Sequence, residues 1–160
     1  EMCIRDSNIA LMAFVDARKK EGNKIKKVLI KKINSLEVAV LKISKVNKVS
    51  QKKRLKVFKL KIANLIKDLD ETRVNQEIAL LALKHDVSEE LDRIIFHTKS
   101  MNQELKKQSC SGKKIDFILQ ELFREANTLS VKLDDPNSKN LALDAKLLVE
   151  EMREQIQNVE

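Results

Sequence analysis

Apolar residues recur at the spacing of an α-helix along almost the whole chain, and no stretch of useful length alternates like a strand. Residues 8 to about 46 are predicted to form one long helix, and a second helix is predicted to follow a break at Val49-Ser50 and to run to about residue 67. Two long neighbouring helices predict an antiparallel hairpin, a projecting arm. Their expected inward residues are Leu11, Phe14, Val15, Ile25, Val28, Leu29, Ile33, Leu36, Val40, Ile43, Leu55, Phe58, Ile62, Leu65 and Ile66.

The second half of the chain predicts four shorter helices separated by turn signals. Residues 134–138, with the sequence DDPNS, are the clearest loop. The helices are expected at about residues 73–84, 86–107, 113–133 and 139–158. We therefore predict an all-α fold with a long antiparallel basic helical arm at residues 8–70 and a small helical bundle at 71–160. Residues 1–7 precede the first clean helical pattern and are expected to be foreign to the fold or disordered.

Composition supports the helical prediction and excludes several classes of protein. The 160 residues include two Gly, one Pro, five Phe and no Trp or Tyr, which disfavours a sheet fold with many turns. No run of about 18 apolar residues predicts a membrane span, and the first residues lack the apolar segment of a signal peptide. Cys3 and Cys110 are too few for a metal or disulfide framework, so we expect free thiols in a reducing compartment.

Positive charge is concentrated in the first half of the chain. Residues 18–67 contain 18 Lys or Arg and two acidic residues, a local charge of +16, whereas the rest carries −8. This asymmetry predicts an anionic partner, with nucleic acid as the first candidate, although a long solvated lysine-rich helix is the plainer interpretation. Because aromatic residues are scarce, RNA would be contacted mainly through its phosphates. Lys52, Lys53 and Lys56 are the predicted contacts on the arm.

Two polar stripes are the candidate site. Asp86, Glu90, Arg93 and His97 share one stripe of a predicted helix, beside the apolar residues Val87, Leu91, Ile94 and Ile95. Such a stripe can bind a metal or a phosphate, but on residue types alone a salt-bridged surface is favoured. Asp86, with Glu89 three positions on, also fits a helix N-cap, which would remove it from the stripe.

A second helix carries a matching polar stripe. Glu121, Arg124, Glu125, Thr128 and Lys132 lie beside the apolar residues Ile115, Ile118, Leu122, Ala126 and Leu129. If the two helices pack through their apolar faces, the two polar stripes meet along one cleft. A matched pair of stripes is a stronger signal of a site than either stripe alone.

Several ordered motifs give the chain a resemblance to a known family. They are QEIALLA at 76–82, DVSEELDR at 86–93 with His97, GKKIDF at 112–117, QELFREANT at 120–128 and MREQIQNVE at 152–160. Together they resemble the YicC/YloC family of bacterial endoribonucleases, and RKKEG at 18–22 fits its helical middle region less distinctively. The family's N-terminal domain, which usually opens with Met-Thr-Gly, is absent from this sequence. Ser130-Val131-Lys132 stands where the family typically has Gly-Ser-Lys.

The resemblance implies a cytoplasmic bacterial enzyme that cleaves single-stranded RNA internally, uses a divalent metal such as Mg or Mn, and works as a homo-hexamer. Metal-assisted phosphodiester hydrolysis needs oxygen or imidazole ligands, a positioned water and cations for the developing charge. The expected metal ligands are Glu90, His97, Glu121 and Glu125. The expected catalytic residues are His97, Glu121, Glu125, Arg93 and Arg124, with His97 as either ligand or general base. Asn127 and Lys132 are further candidate RNA contacts.

Two other classes of function stay open at this point. The basic arm alone would support a helical RNA-binding adaptor without catalysis. The near-heptad pattern of the last helix would support an oligomerisation scaffold. Metal-dependent cleavage of a labelled single-stranded RNA separates the enzyme from both.

Overall fold

The structure, a computed structural model, describes residues 2–65, 71–84, 86–107 and 110–157. These residues form five α-helices and no strand, which confirms the all-α prediction. The helices are α1 (Met2–Leu65), α2 (Glu71–Lys84), α3 (Ser88–Lys106), α4 (Gly112–Lys132) and α5 (Pro136–Gln157). None of these helices is both long enough and apolar enough to cross a membrane.

The predicted break at Val49-Ser50 is wrong, because α1 continues through it as a single helix of 64 residues. The only glycine in α1 is Gly22, and the helix contains no proline, so nothing after residue 22 forces the backbone out of helical geometry. An antiparallel hairpin within residues 8–65 is therefore also wrong. Helix α1 begins at Met2, ahead of the expected start at residue 8, and the predicted end of the arm at residue 70 lies outside the described residues.

The middle of α1 belongs to the same core as the bundle. Helix α1 packs against α3 and α5, and α4 packs against both α3 and α5. One continuous apolar cluster joins the four helices and includes Leu29, Ile33, Leu36, Val40, Ile43, Leu91, Ile94, Met101, Leu119, Leu122, Leu129, Val149 and Met152. Burial of this apolar surface fixes the positions of α3 and α4, which carry the candidate site.

The expected inward stripe of α1 is correct in its middle, where Leu29, Ile33, Leu36, Val40 and Ile43 are buried and Ile25 packs against them. The side chains of Ile62, Leu65 and Ile66 lie outside the described part of the chain. Leu11, Phe14 and Val15 are exposed, as is every described side chain from residue 5 to residue 24. The periodicity of these residues correctly indicated a helix. It did not indicate a buried face, because burial depends on a neighbouring element and no described element packs there.

A carboxylate just before each of α3 and α5 accepts hydrogen bonds from the first turn of that helix. Asp86 accepts hydrogen bonds from the backbone nitrogen and the hydroxyl of Ser88, at 2.9 and 2.7 Å. Asp135 does the same for Ser138, at 2.8 and 2.9 Å. Helix α5 therefore begins at Pro136, inside the predicted loop, because proline suits the first helical turn and the preceding aspartate satisfies a free backbone N–H.

Candidate functional site

Helices α3 and α4 pack side by side through the apolar faces that the sequence predicted. Val87, Leu91 and Ile94 on α3 are buried, as are Ile115, Ile118, Leu122, Ala126 and Leu129 on α4. Three cross-helix ion pairs join Glu90 to Lys132, Arg93 to Glu125 and Glu104 to Lys114. Since the residue numbers rise on α3 as they fall on α4, the helices are antiparallel. We call the polar edge of this helix pair the α3–α4 seam; it runs from Glu90 and Lys132 at one end to His97 and Glu121 at the other.

Glu90 is the most buried acidic group at one end of the seam. Its side chain is 8% exposed, and its Oε1 accepts a hydrogen bond from the Lys132 Nζ at 2.7 Å. Lys132 also donates to the backbone carbonyl of Asp86 at 3.2 Å. The second carboxylate oxygen of Glu90, Oε2, is buried without a hydrogen-bond partner among the described residues. An ionised carboxylate in this position depends on Lys132, because burying an unpaired charge is costly.

Arg93 is held between two carboxylates one turn further along the seam. Its Nη1 lies 3.1 Å from Oε1 of Glu125, whose side chain is 6% exposed, and its Nη2 pairs with the exposed Glu89 on the same helix. The hydrogen bond to Glu125 and the charge of Glu89 raise the pKa of Arg93. The guanidinium therefore stays charged, and Glu125 already has a cationic partner.

His97 and Glu121 occupy the next level of the seam. His97 lies four positions after Arg93 and Glu121 four positions before Glu125, so the antiparallel register puts them level with each other. Both side chains are half-buried, whereas Arg124 is exposed. No described hydrogen bond or ion pair involves any of these three side chains. The His97 ring makes an edge contact with Phe96, with the ring centroids 5.5 Å apart.

The seam brings together some of the predicted site residues and leaves others apart. Glu90, Lys132, Arg93 and Glu125 are joined by direct contacts, but Arg124 takes part in none of them. Asp86 lies outside α3, ahead of its N-cap residue Val87, and its carboxylate bonds Ser88 instead of joining the stripe. Its hydrogen bonds from Ser88, with a smaller contribution from the charge of Lys132, lower the pKa of its carboxyl group.

The described residues do not fit a complete metal site. No group of three or more His, Cys, Asp or Glu side chains in the described ranges is arranged to hold an ion. Glu90 and Glu125, two of the four expected ligands, are each paired with a cation. The buried Oε2 of Glu90 is a free oxygen donor of the type that Mg²⁺ prefers, but one donor does not make a site.

The predicted RNA contacts lie on two different parts of the molecule. Lys52, Lys53 and Lys56 are exposed on α1, while Asn127 is half-buried on α4. Helix α1 is linked to the end of α4 by an ion pair between Arg54 and Asp134, with 3.0 Å between Nη1 and Oδ2. The basic surface of α1 therefore continues toward the Glu90 end of the seam.

A cavity of about 590 Å³ lies at the junction between α1 and the segment that joins α2 to α3. Sequence patterning predicted Leu55 and Phe58 as core residues, but both are half-buried and line this cavity. Arg54 and Leu83 were not singled out by the sequence and line it too.

Comparisons with known proteins place this geometry in a family. A family model described as "Endoribonuclease YicC-like, C-terminal" matches residues 41–160. The chain belongs to the YicC-like endoribonuclease family. It is 39% identical over 151 residues to a probable endoribonuclease YicC from Haemophilus influenzae, covering 94% of this chain and 52% of the relative. It is 33% identical over 154 residues to a probable endoribonuclease YicC from Clostridioides difficile, covering 94% and 53%.

The YicC-like match covers every candidate site residue and the cavity. It begins within α1, ahead of Lys52, and extends past the seam to the end of α5. The chain spans about half the length of the two curated relatives. The α3–α4 seam and residues 41–65 of α1 are therefore parts of the YicC-like C-terminal region.

Proposed function

We propose that this protein is a metal-dependent endoribonuclease that cleaves single-stranded RNA internally. The observation that carries the proposal is the similarity, over 94% of the chain, to two relatives named as probable endoribonucleases. The α3–α4 seam supports it, since one line of the molecule holds an imidazole, carboxylates and cations. The protein is proposed to act in the cytoplasm and to assemble as a homo-hexamer, as the resemblance implies.

His97 is the proposed proton-transfer group of the seam. It is half-buried, and no described hydrogen bond or ion pair holds it, so its ring nitrogens are available to a water or a ribose hydroxyl. Among the side chains of the seam, imidazole is the one most often used by enzymes for general acid–base catalysis. Glu121, level with His97, is proposed to orient the imidazole or the attacking water.

Arg93, Arg124 and Lys132 are the proposed contacts for the scissile phosphate. Lys132 and Arg93 lie at fixed positions because buried carboxylates hold them. Arg124 is exposed on the same helix as Lys132 and Asn127, so it can reach RNA without breaking a described ion pair. Preorganised cations of this kind stabilise charge that develops during phosphodiester cleavage.

The metal is proposed from the family resemblance alone. The seam of this chain holds no complete set of ligands, and any ion here would need donors in addition to the described residues. We therefore assign the residues of the seam to phosphate binding, proton transfer and positioning, and no step in this proposal is routed through Mg or Mn.

Cleavage of a 5′-labelled single-stranded RNA tests the proposal. The protein extended to the full length of its relatives is incubated with RNA in Mg²⁺, in Mn²⁺ and in EDTA. We expect internal cleavage with metal and none in EDTA. The Glu121→Gln variant keeps the size of the side chain and removes its charge, so it should lose cleavage while still binding RNA. Asp144→Asn, an exposed carboxylate on α5, is the matched control and should cleave normally. Salt-sensitive binding without any cleavage would instead indicate an adaptor.

A further inference from the structure

We infer that the cavity between α1 and the α2–α3 junction is a binding pocket for one unstacked nucleotide of a single-stranded RNA, with its base against Phe58. This inference rests on the proposed function for the identity of the nucleic acid. It adds a base-binding pocket to a surface that the sequence predicted to contact RNA mainly through its phosphates.

The floor of the cavity is apolar and open to solvent. Phe58, half-buried on α1, lines it together with Leu55 and Val57 from the same helix and Leu83 from α2. Val57 is 50% exposed and Leu83 is 68% exposed. The cavity volume of about 590 Å³ lies within the roughly 300–1,000 Å³ typical of ligand pockets. The pocket therefore offers one aromatic side chain and apolar neighbours that the described part of the chain leaves accessible.

The rim of the cavity is mainly cationic, because three basic residues and one acidic residue, Asp86, are among the residues that line it, and this favours an anionic occupant. Lys53, Arg54 and Lys61 line it, and the lysines are exposed. An apolar floor with an aromatic side chain beside ammonium groups matches a nucleotide, whose base stacks while its phosphate pairs with lysine. An uncharged ligand would leave the cationic rim unused.

Two connections make a polymer the better fit than a free mononucleotide. The pocket lies in the basic stretch of residues 18–67, which carries a charge of +16 and can follow a phosphate backbone on either side. Asp86 also lines the pocket, and the carbonyl of Asp86 accepts a hydrogen bond from Lys132 of the seam. A strand seated in the pocket therefore has a short path to the α3–α4 seam.

A tryptophan placed in the pocket reports base stacking directly. The chain contains no Trp and no Tyr, so Phe58→Trp introduces a single strong fluorophore into the 160-residue protein. Phe117→Trp is the matched control, since Phe117 is 60% exposed on α4 and does not line the cavity. The probes are a ten-nucleotide single-stranded RNA and an abasic strand of the same length and charge, both in EDTA.

We expect the base-containing RNA to quench the Phe58→Trp emission to saturation, and the abasic strand to bind without quenching. Phe117→Trp should not be quenched by either strand. The Phe58→Leu variant keeps apolar volume and removes the aromatic face, and it should weaken binding of the base-containing strand roughly tenfold. Its affinity for the abasic strand should not change, and its helical circular dichroism should match the parent.

Equal quenching of both tryptophans, or equal quenching by both strands, would refute the proposal that the pocket binds a base. Absence of quenching despite measured RNA binding would do the same. The readout does not depend on cleavage, so the two proposals fail separately. Quenching without catalysis by the full-length protein would support the base-binding pocket and contradict the proposed enzymatic function. Catalysis without quenching would support the enzymatic function and contradict the pocket.

Discussion

Replacing Lys132 by methionine should destabilise the protein far more than removing a lysine from its surface. The Lys132 side chain is only 33% exposed, and its partner Glu90 is 8% exposed. Removing one member of a buried pair typically costs about 3–5 kcal/mol. Because Lys132 is partly solvated, water can reach the vacated space, and we expect a loss of about 2–3 kcal/mol. For a chain of this size that lowers the Tm by roughly 5–10 °C.

The pair between Arg54 and Asp134 provides a matched control. Arg54 is 32% exposed, almost the same as Lys132, but its partner Asp134 is 55% exposed. Arg54→Met therefore leaves a solvated carboxylate behind and should cost less than about 1 kcal/mol. Because the two cations are equally accessible, the comparison mainly tests burial of the carboxylate; the lost hydrogen bond from Lys132 to the Asp86 carbonyl is the other difference.

Urea unfolding followed by circular dichroism at 222 nm measures both losses. The double variant Glu90→Gln, Lys132→Met removes the buried charge together with its partner. It should recover at least about 1 kcal/mol relative to Lys132→Met alone. Equal losses for Lys132→Met and Arg54→Met, or a double variant no more stable than Lys132→Met, would refute the idea that Lys132 neutralises a buried Glu90.

Three further predictions follow from the site and the caps. Hydrogen bonds from Ser88 lower the pKa of Asp86, so its ionised form stabilises the fold above the unfolded pKa of about 3.9. This stabilisation is lost as the pH falls through the lower folded pKa. Asp86→Asn should therefore flatten the plot of unfolding free energy against pH below about pH 4, and parallel plots for variant and parent would contradict the assignment. Reversing Lys52, Lys53 and Lys56 to Glu should weaken RNA binding and reduce its salt dependence, and the same reversal at the exposed Lys99, Lys106 and Lys113 should do less in a binding titration. His97→Ala in the full-length protein should abolish cleavage and leave RNA affinity within about twofold; normal cleavage would exclude His97 from proton transfer.

Sequence periodicity predicted the helices and the α3–α4 contact because both depend on local spacing. Val87, Leu91 and Ile94 are buried as expected, and so are the apolar residues of α4. Six residues were predicted to lie along one cleft: Glu90, Arg93, His97, Glu121, Arg124 and Glu125. Of these, Glu90, Arg93 and Glu125 make cross-helix ion pairs, whereas His97, Glu121 and Arg124 make no described hydrogen bond or ion pair. Two amphipathic helices joined by a short connection have few ways to pack, so the seam could be anticipated from their stripes.

The errors have physical causes that a single sequence does not reveal. Val49 and Ser50 are weak helix formers, but a long helix absorbs two such residues when its neighbouring turns pack against a core. The cavity could not be predicted because Phe58 and Leu83 have ordinary helical spacing. Whether an apolar residue faces a core or an open pocket depends on the packing angle between helices.

The pairing of charges along the seam suggests how binding and chemistry are divided in the proposed enzyme. The seam contains two nearly neutral ion pairs, Glu90 with Lys132 and Arg93 with Glu125. It therefore attracts RNA only weakly beyond the electrostatic screening length of about 8–10 Å. The +16 stretch, most of which lies in α1, supplies the long-range attraction for RNA. Once a strand arrives, Arg93 can exchange its exposed partner Glu89 for a phosphate and keep the buried Glu125, because only Glu89 regains full hydration on release. The buried carboxylates would then act by holding cations in place, and His97, which has no described hydrogen bond or ion pair, would be left for proton transfer.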